Sequence, residues 1–182
     1  MSWVDKDFEE NMHQYINEIY ENTFNNIKSI YRSDRNNENK TFDILDKDLG
    51  IDTIIIFENE SKISFQEKSL RDKKKNFQQI TLEYFNDPKT NDTGEWFKII
   101  AQFYFFGYVN KEKNGYSQFF IINNALLKIA LNDLSQVNLN QYLQQNYPPN
   151  KANFFAIPFH LIKKLDKKYK GLIYTYYDTN NR

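Results

Sequence analysis

Residues 50–69 read GIDTIIIFENESKISFQEKS, and the fold turns on how this stretch is read. Two β-branched runs, Asp52 to Phe57 and Lys62 to Gln66, flank the polar turn ENES. The pattern predicts an antiparallel hairpin. If the turn is centred on Asn59, residues equidistant from it face each other, which sets Asp52 opposite Gln66 and Gly50 opposite Lys68. Side chains alternate with period two, so Asp52, Gln66 and Lys68 share one face while Glu67 points to the other. On a solvated edge these would be ordinary strand-end polar groups. The apolar residues between them (Ile54, Ile55, Ile56, Ile63 and Phe65) instead mark the hairpin as central in a sheet, and polar groups at its end then need a reason. A carboxylate and a carboxamide oxygen on two rigid strands make a hard-oxygen site suited to Mg²⁺. A lysine beside them can orient or deprotonate a water, or offset charge on a phosphate.

Composition narrows the chemistry. The 182 residues carry 24 Lys plus Arg against 24 Asp plus Glu, so any polyanion binding rests on local patches. There is no cysteine, which excludes disulfides, zinc-thiolate sites and thiol nucleophiles. The two histidines, His13 and His160, are far apart and have no third partner at ligand spacing, so neither a zinc site nor a histidine-based triad is expected. Only 5 glycines occur and none forms a phosphate-binding loop, which argues against ATP-driven chemistry. No apolar run approaches the roughly 20 residues that span a bilayer. The N-terminal MSWVDKDFEENMHQ is acidic and polar, and the expectation is an intracellular, cytoplasmic protein with no membrane partner. An aromatic content of 17% with a mean hydropathy of -0.77 predicts an aromatic core beneath a very polar surface.

Outward from the hairpin, apolar residues recur every three or four positions from Val4 to Tyr31, predicting one long helix. Residues 32–50 read as a polar loop. After the basic run Arg71 to Lys75, QITLEYF predicts a third strand. TGEWFKIIAQFYFFGY predicts a helix with a stripe of Trp96, Ile99, Ile100 and Phe103, capped by Thr93 and placing Lys98 and Gln102 on one side. YSQFFIIN, NFFAIP and GLIYTYY read as strands. NALLKIALND, NLNQYLQQNY and PFHLIKKLDKKY read as helices, the last with Pro158 in its first turn. The expected fold is a single α/β domain over residues 1–182, a mixed sheet flanked by helices.

The order helix, strand opening on Asp, antiparallel strand ending in acid-X-Lys resembles the PD-(D/E)XK nuclease superfamily. Here "GID" supplies Asp52 and "QEK" supplies Lys68, with Gln66 in place of the usual acid and Ile51 where proline is often found. The resemblance covers roughly Phe8 to Tyr104 and implies a restriction-endonuclease-like sheet. It also implies a Mg²⁺-dependent endodeoxyribonuclease, with Mn²⁺ as a substitute. In that family's arrangement Asp52, Gln66 and the Glu67 backbone carbonyl hold the metal, and Lys68 positions the hydrolytic water. The family also expects an acid from the first helix. Glu9 lies closest to the apolar stripe, with Glu10 as the reserve. Arg71, Lys73, Lys74 and Lys75 directly follow the presumed active strand and are the expected contacts to DNA phosphates, with the basic C-terminal helix as a second basic surface. Double-stranded DNA is the implied partner, and one active site per domain implies a homodimer or higher homo-oligomer for double-strand cleavage. Site-specific restriction or homing activity, structure-directed repair activity, and a DNA-binding protein that has lost the chemistry are the three outcomes the sequence leaves open.

Overall fold

The computed structural model describes residues 3–33, 44–45, 48–87, 89–90, 92–134, 136–146 and 152–179. Helix α1 (Trp3–Thr23) buries Met12, Ile16 and Tyr20, one residue per turn, with Phe24 just beyond its end. The helix is shorter than its periodicity predicts. Asn26 adopts a left-handed φ of 59°, and Ile27–Arg32 becomes strand β1. Ile27 and Ile30 satisfy a helical stripe and a strand equally well, and antiparallel pairing with the next strand decides between them.

The hairpin forms in the expected register. Strands β2 (Thr53–Phe57) and β3 (Lys62–Leu70) pair Thr53 with Phe65, Ile54 with Ser64 and Ile55 with Ile63, which centres the turn on Asn59. β3 continues past Gln66 to Leu70 because a parallel neighbour, β6 (Phe103–Val109), pairs with it from Phe65 to Leu70. β7 (Tyr116–Asn123) and β10 (Ile173–Asp178) complete a six-stranded sheet in the order β1-β2-β3-β6-β7-β10. Of its five pairings only β3 with β6 is parallel.

A second sheet of four strands departs from the single sheet expected. Its order is β5 (Asp92–Thr93), β4 (Gln79–Asp87), β9 (Asn153–Pro158) and β8 (Leu143–Gln145). QITLEYF is therefore a strand, but it pairs with β9 rather than with the hairpin. The helix predicted around Trp96 is confined to α2 (Glu95–Lys98), and the aromatic run after it is β6. From Tyr104 to Val109 every residue of that strand is buried, so it carries no alternation to distinguish it from a helix. Helices α3 (Asn124–Asp133), α4 (Gln136–Asn140) and α5 (Phe159–Lys168) follow. The predicted helix NLNQYLQQNY splits between α4 and β8, and Pro158 caps α5 from outside its first turn.

The six-stranded sheet is covered on both faces. α1 lies over Ile55, Phe65, Phe105 and Ile121. The second sheet, through Ile80, Leu82, Phe155 and Ile157, and helices α3 and α5 lie over Tyr104, Phe106, Tyr108, Phe120 and Ile122. Each such aromatic or aliphatic side chain contributes about 1.5–3 kcal/mol on burial, which is why the apolar hairpin occupies the middle of the molecule. Among the described residues no helix is long and apolar enough to cross a membrane.

Candidate metal and nuclease centre

Asp52 precedes β2 by one residue, and its backbone N–H donates to the Phe65 carbonyl at 2.8 Å, so the hairpin ladder already fixes its position. Its Oδ2 accepts two hydrogen bonds, from Gln66 Nε2 at 2.7 Å and from the Glu67 backbone N–H at 2.7 Å. Gln66 is only 4% exposed, and the same Nε2 also donates to Glu95 Oε1 at 2.8 Å. One carboxamide nitrogen thus joins two carboxylates. Its oxygen, Oε1, is buried and has no hydrogen-bond partner.

More charge surrounds this cluster. Tyr104 is buried and donates to the Thr81 carbonyl at 3.1 Å. Burial holds its phenol well above the ordinary range, and the charges of Glu95, Asp52, Glu83 and Glu9 push it further. Glu83, on β4, has its carboxyl pKa raised first by burial and then by Glu95, while the ammonium groups of Lys68 and Lys98 act in the opposite direction. Lys68 thus follows Gln66 by two residues on the same strand and acts electrostatically on a carboxylate of the facing sheet.

Glu95 reaches the hairpin because its backbone is pinned on three sides. The Gly94 N–H donates to the Tyr84 carbonyl at 2.8 Å, and a Cβ at Gly94 would lie 2.4 Å from the Glu83 carbonyl oxygen. Lys128 Nζ donates to the Ile99 carbonyl at 2.5 Å and lies 5.3 Å from the Trp96 ring centroid. The Ile100 N–H donates to the Leu49 carbonyl at 2.9 Å, which ties the end of this segment to the residues before Asp52. Gly50 permits that approach. Its φ is +57°, and a Cβ there would lie 3.0 Å from Ile99 Cα and 3.1 Å from Gln66 Oε1. Gly94→Ala forces β4 and α2 apart and is expected to lower unfolding stability by about 1–3 kcal/mol. A urea midpoint unchanged from wild type would show that the contact with β4 yields freely.

The opposite face of β3 carries a different construction. Glu67 Oε1 accepts from the Tyr20 hydroxyl at 2.9 Å and from Thr53 Oγ1 at 2.7 Å, and Oε2 accepts from Arg32 Nη1 at 2.6 Å. Arg32 also donates to Thr53 Oγ1 at 3.0 Å and to Asn17 Oδ1 at 2.6 Å. The Glu67 side chain is thereby committed to a buried ion pair, and only its backbone is shared with the Asp52 side.

The structure thus brings Asp52 and Gln66 into contact and sets Glu67 on the reverse face. Glu9 lies on α1, half-buried, and its charge is felt by Tyr116 as well as Tyr104, while Glu10 is exposed. The Arg71 guanidinium lies 4.3 Å from the Phe8 ring centroid. The side chains of Lys73, Lys74 and Lys75 fall outside the described residues. Lys98 and Gln102 do not share a helix face, because α2 ends at Lys98, and Gln102 Oε1 accepts from the Ser64 backbone N–H at 3.1 Å instead. His13 and His160 sit on different helices. Among the described residues no three His, Cys, Asp or Glu side chains are grouped to hold a metal ion; here two carboxylates are joined by a carboxamide. Sequence reasoning passed over Glu83 and Glu95. A glutamate at a helix start or in a strand is commonplace, and the contacts that matter come from elements remote in the chain.

Compared with family models, curated proteins and solved structures, the chain matches none of them.

Proposed function

We propose that the protein is a Mg²⁺-dependent endodeoxyribonuclease of restriction-endonuclease-like fold. The observation that carries this reading is the contact between Asp52 and Gln66 at 2.7 Å, with Lys68 two residues further along the same strand. The order of elements supports it: α1 comes before the strand that Asp52 opens, and the strand carrying Gln66 and Lys68 pairs antiparallel with that strand, as in the order the resemblance implies. The donor set is compatible with the metal. Asp52 offers a carboxylate, and Gln66 a carboxamide whose buried oxygen has no hydrogen-bond partner and reaches the Asp52 side by a half-turn of the amide.

In this reading Asp52, Gln66 and the Glu67 backbone carbonyl would hold the ion, and Glu9 of α1, whose charge already acts on Tyr104 beside the cluster, would support it. The bound ion supplies Lewis-acid polarisation of the phosphate and lowers the pKa of a water. The protein's own part is positional and electrostatic. The Glu67 N–H and the hairpin ladder hold the Asp52 carboxylate in one orientation. Lys68 carries the positive charge that orients the attacking water and offsets charge on the phosphate. Arg71 and the basic run Lys73, Lys74 and Lys75 would contact the DNA backbone, and a homodimer would supply the second active site for double-strand cleavage.

The test is relaxation of supercoiled plasmid in Mg²⁺ or Mn²⁺, with arrest by a chelator. Discrete fragments assign a site-specific enzyme, and cutting confined to junctions or damaged duplex assigns a structure-directed one. One feature favours a DNA-binding protein without chemistry: Gln66 Nε2 stands between two carboxylates, as a cation would. DNA binding with no cleavage in either metal selects that second reading.

A further inference from the structure

The acid expected on β3 is absent, yet the position it would serve is not short of carboxylates. Gln66 Nε2 is held between Asp52 Oδ2 at 2.7 Å and Glu95 Oε1 at 2.8 Å, so these two oxygens lie within about twice that distance of each other. Their charges repel, and the amide protons between them offset that repulsion. The remaining amide atom, Oε1, pays for this arrangement by being buried without a partner, at a side chain 4% exposed. A half-turn of the carboxamide exchanges its two ends and directs the oxygen at the carboxylate pair. That orientation is unfavourable while two carboxylates face the oxygen with no cation between them and favourable once a cation lies there.

From this arrangement we infer that Glu95 is a metal ligand, completing with Asp52 and the Gln66 carboxamide oxygen an all-oxygen site for a small divalent cation. The inference rests on the nuclease reading only for the identity of the site, since cation binding needs no DNA. Glu95 supplies from α2 the negative charge that Gln66 does not supply from β3. The geometry explains the effort spent on placing that helix: the Gly94 approach to β4, the Lys128 bond to the Ile99 carbonyl and the Ile100 bond to Leu49 all fix a segment of four helical residues. Oxygen ligands from both strands of the hairpin and from α2 suit Mg²⁺ or Mn²⁺ over softer ions, because no nitrogen or sulfur donor enters the set.

The experiment is titration of the full chain with Mn²⁺, without DNA, read by the loss of the free-ion electron paramagnetic resonance signal. Wild type, Asp52→Asn and Glu95→Gln are compared, each checked for cooperative thermal unfolding. Both substitutions are expected to weaken Mn²⁺ binding roughly tenfold or more, as loss of a ligand or its immediate support does. If Glu95→Gln does not fold, Glu95→Asp takes its place; it keeps the charge and withdraws the carboxylate by one methylene, and the same loss is expected. Unchanged affinity in the folded Glu95 variant, with affinity lost in Asp52→Asn, overturns the role of Glu95 and leaves the nuclease reading intact. Mn²⁺ binding that depends on Glu95, in a protein that cuts no DNA, supports the inference while removing the nuclease reading. A wild-type chain that takes up no Mn²⁺ overturns both.

Discussion

Lys68→Ala is expected to reduce metal-dependent plasmid nicking by about two to four orders of magnitude, the range typical for a positioned proton-transfer group, while leaving the protein folded. Activity and stability separate here for a physical reason. Lys68 is half-buried on β3, and the structural framework of the hairpin, its ladder and its apolar face does not pass through its side chain. Its charge acts on Glu83, where it counters the upward push of burial and of Glu95. Removing it takes away a positive charge that offsets the upward push on Glu83, so the Glu83 carboxyl holds its proton more tightly. The loss of nicking is read from the rate of conversion of supercoiled to open-circular plasmid at saturating Mg²⁺. Thermal unfolding of the same sample shows whether the fold is kept. A folded Lys68→Ala protein that nicks at the wild-type rate removes the lysine from the mechanism.

Glu67→Ala has the largest expected effect on stability, and it acts from the other side of the same strand. The Glu67 carboxylate, 6% exposed in its side chain, pairs with an Arg32 side chain 13% exposed. Tyr20 and Thr53 also donate to it. Truncation strands a guanidinium and two hydroxyls in a site with little water, and breaking one partner of such a pair costs about 3–5 kcal/mol. For a domain of this size that corresponds to a fall in melting temperature of roughly 6–20 °C. Replacing both members by apolar residues of similar volume, as in Arg32→Met with Glu67→Leu, should recover most of the loss. Differential scanning calorimetry of the two variants checks both statements. A single variant within 1 °C of wild type would show that water already reaches the pair. Because the Glu67 N–H holds Asp52, the network also acts as a backing plate for the candidate centre.

Much of this arrangement was legible in the hairpin itself. Asn59 and its polar neighbours locate the turn, and period-two alternation then fixes which face each of Asp52, Gln66, Glu67 and Lys68 takes; the observed pairing of Thr53 with Phe65 is that register. The mixed α/β class followed from the order of elements. What escaped has common causes. Ile27 and Ile30 fit both a helical and a strand period, so the end of α1 was decided by pairing with β2, a contact local pattern does not contain. The run from Phe103 to Val109 is buried along nearly its whole length and shows no polar face, so its pattern does not separate a strand from a continuation of the Trp96 helix. The second sheet joins Gln79–Asp87 to Asn153–Pro158, segments separated in the chain by β6 and β7 of the six-stranded sheet, and no local signal announces that pairing. Glu95 escaped with it, since its approach to Gln66 depends on Gly94 lying against β4 and on Ile100 reaching Leu49.

If the groups meeting at the end of the hairpin hold a divalent ion that assists phosphodiester hydrolysis, cleavage depends on both the ion and Asp52. The most direct test sets wild type beside Asp52→Asn on supercoiled DNA in Mg²⁺, with both proteins shown to be folded. Wild type should yield open-circular or linear product, the variant none, and neither protein any in chelator. Intact plasmid with the folded wild type in both Mg²⁺ and Mn²⁺, or equal cutting by the two proteins, would contradict that dependence.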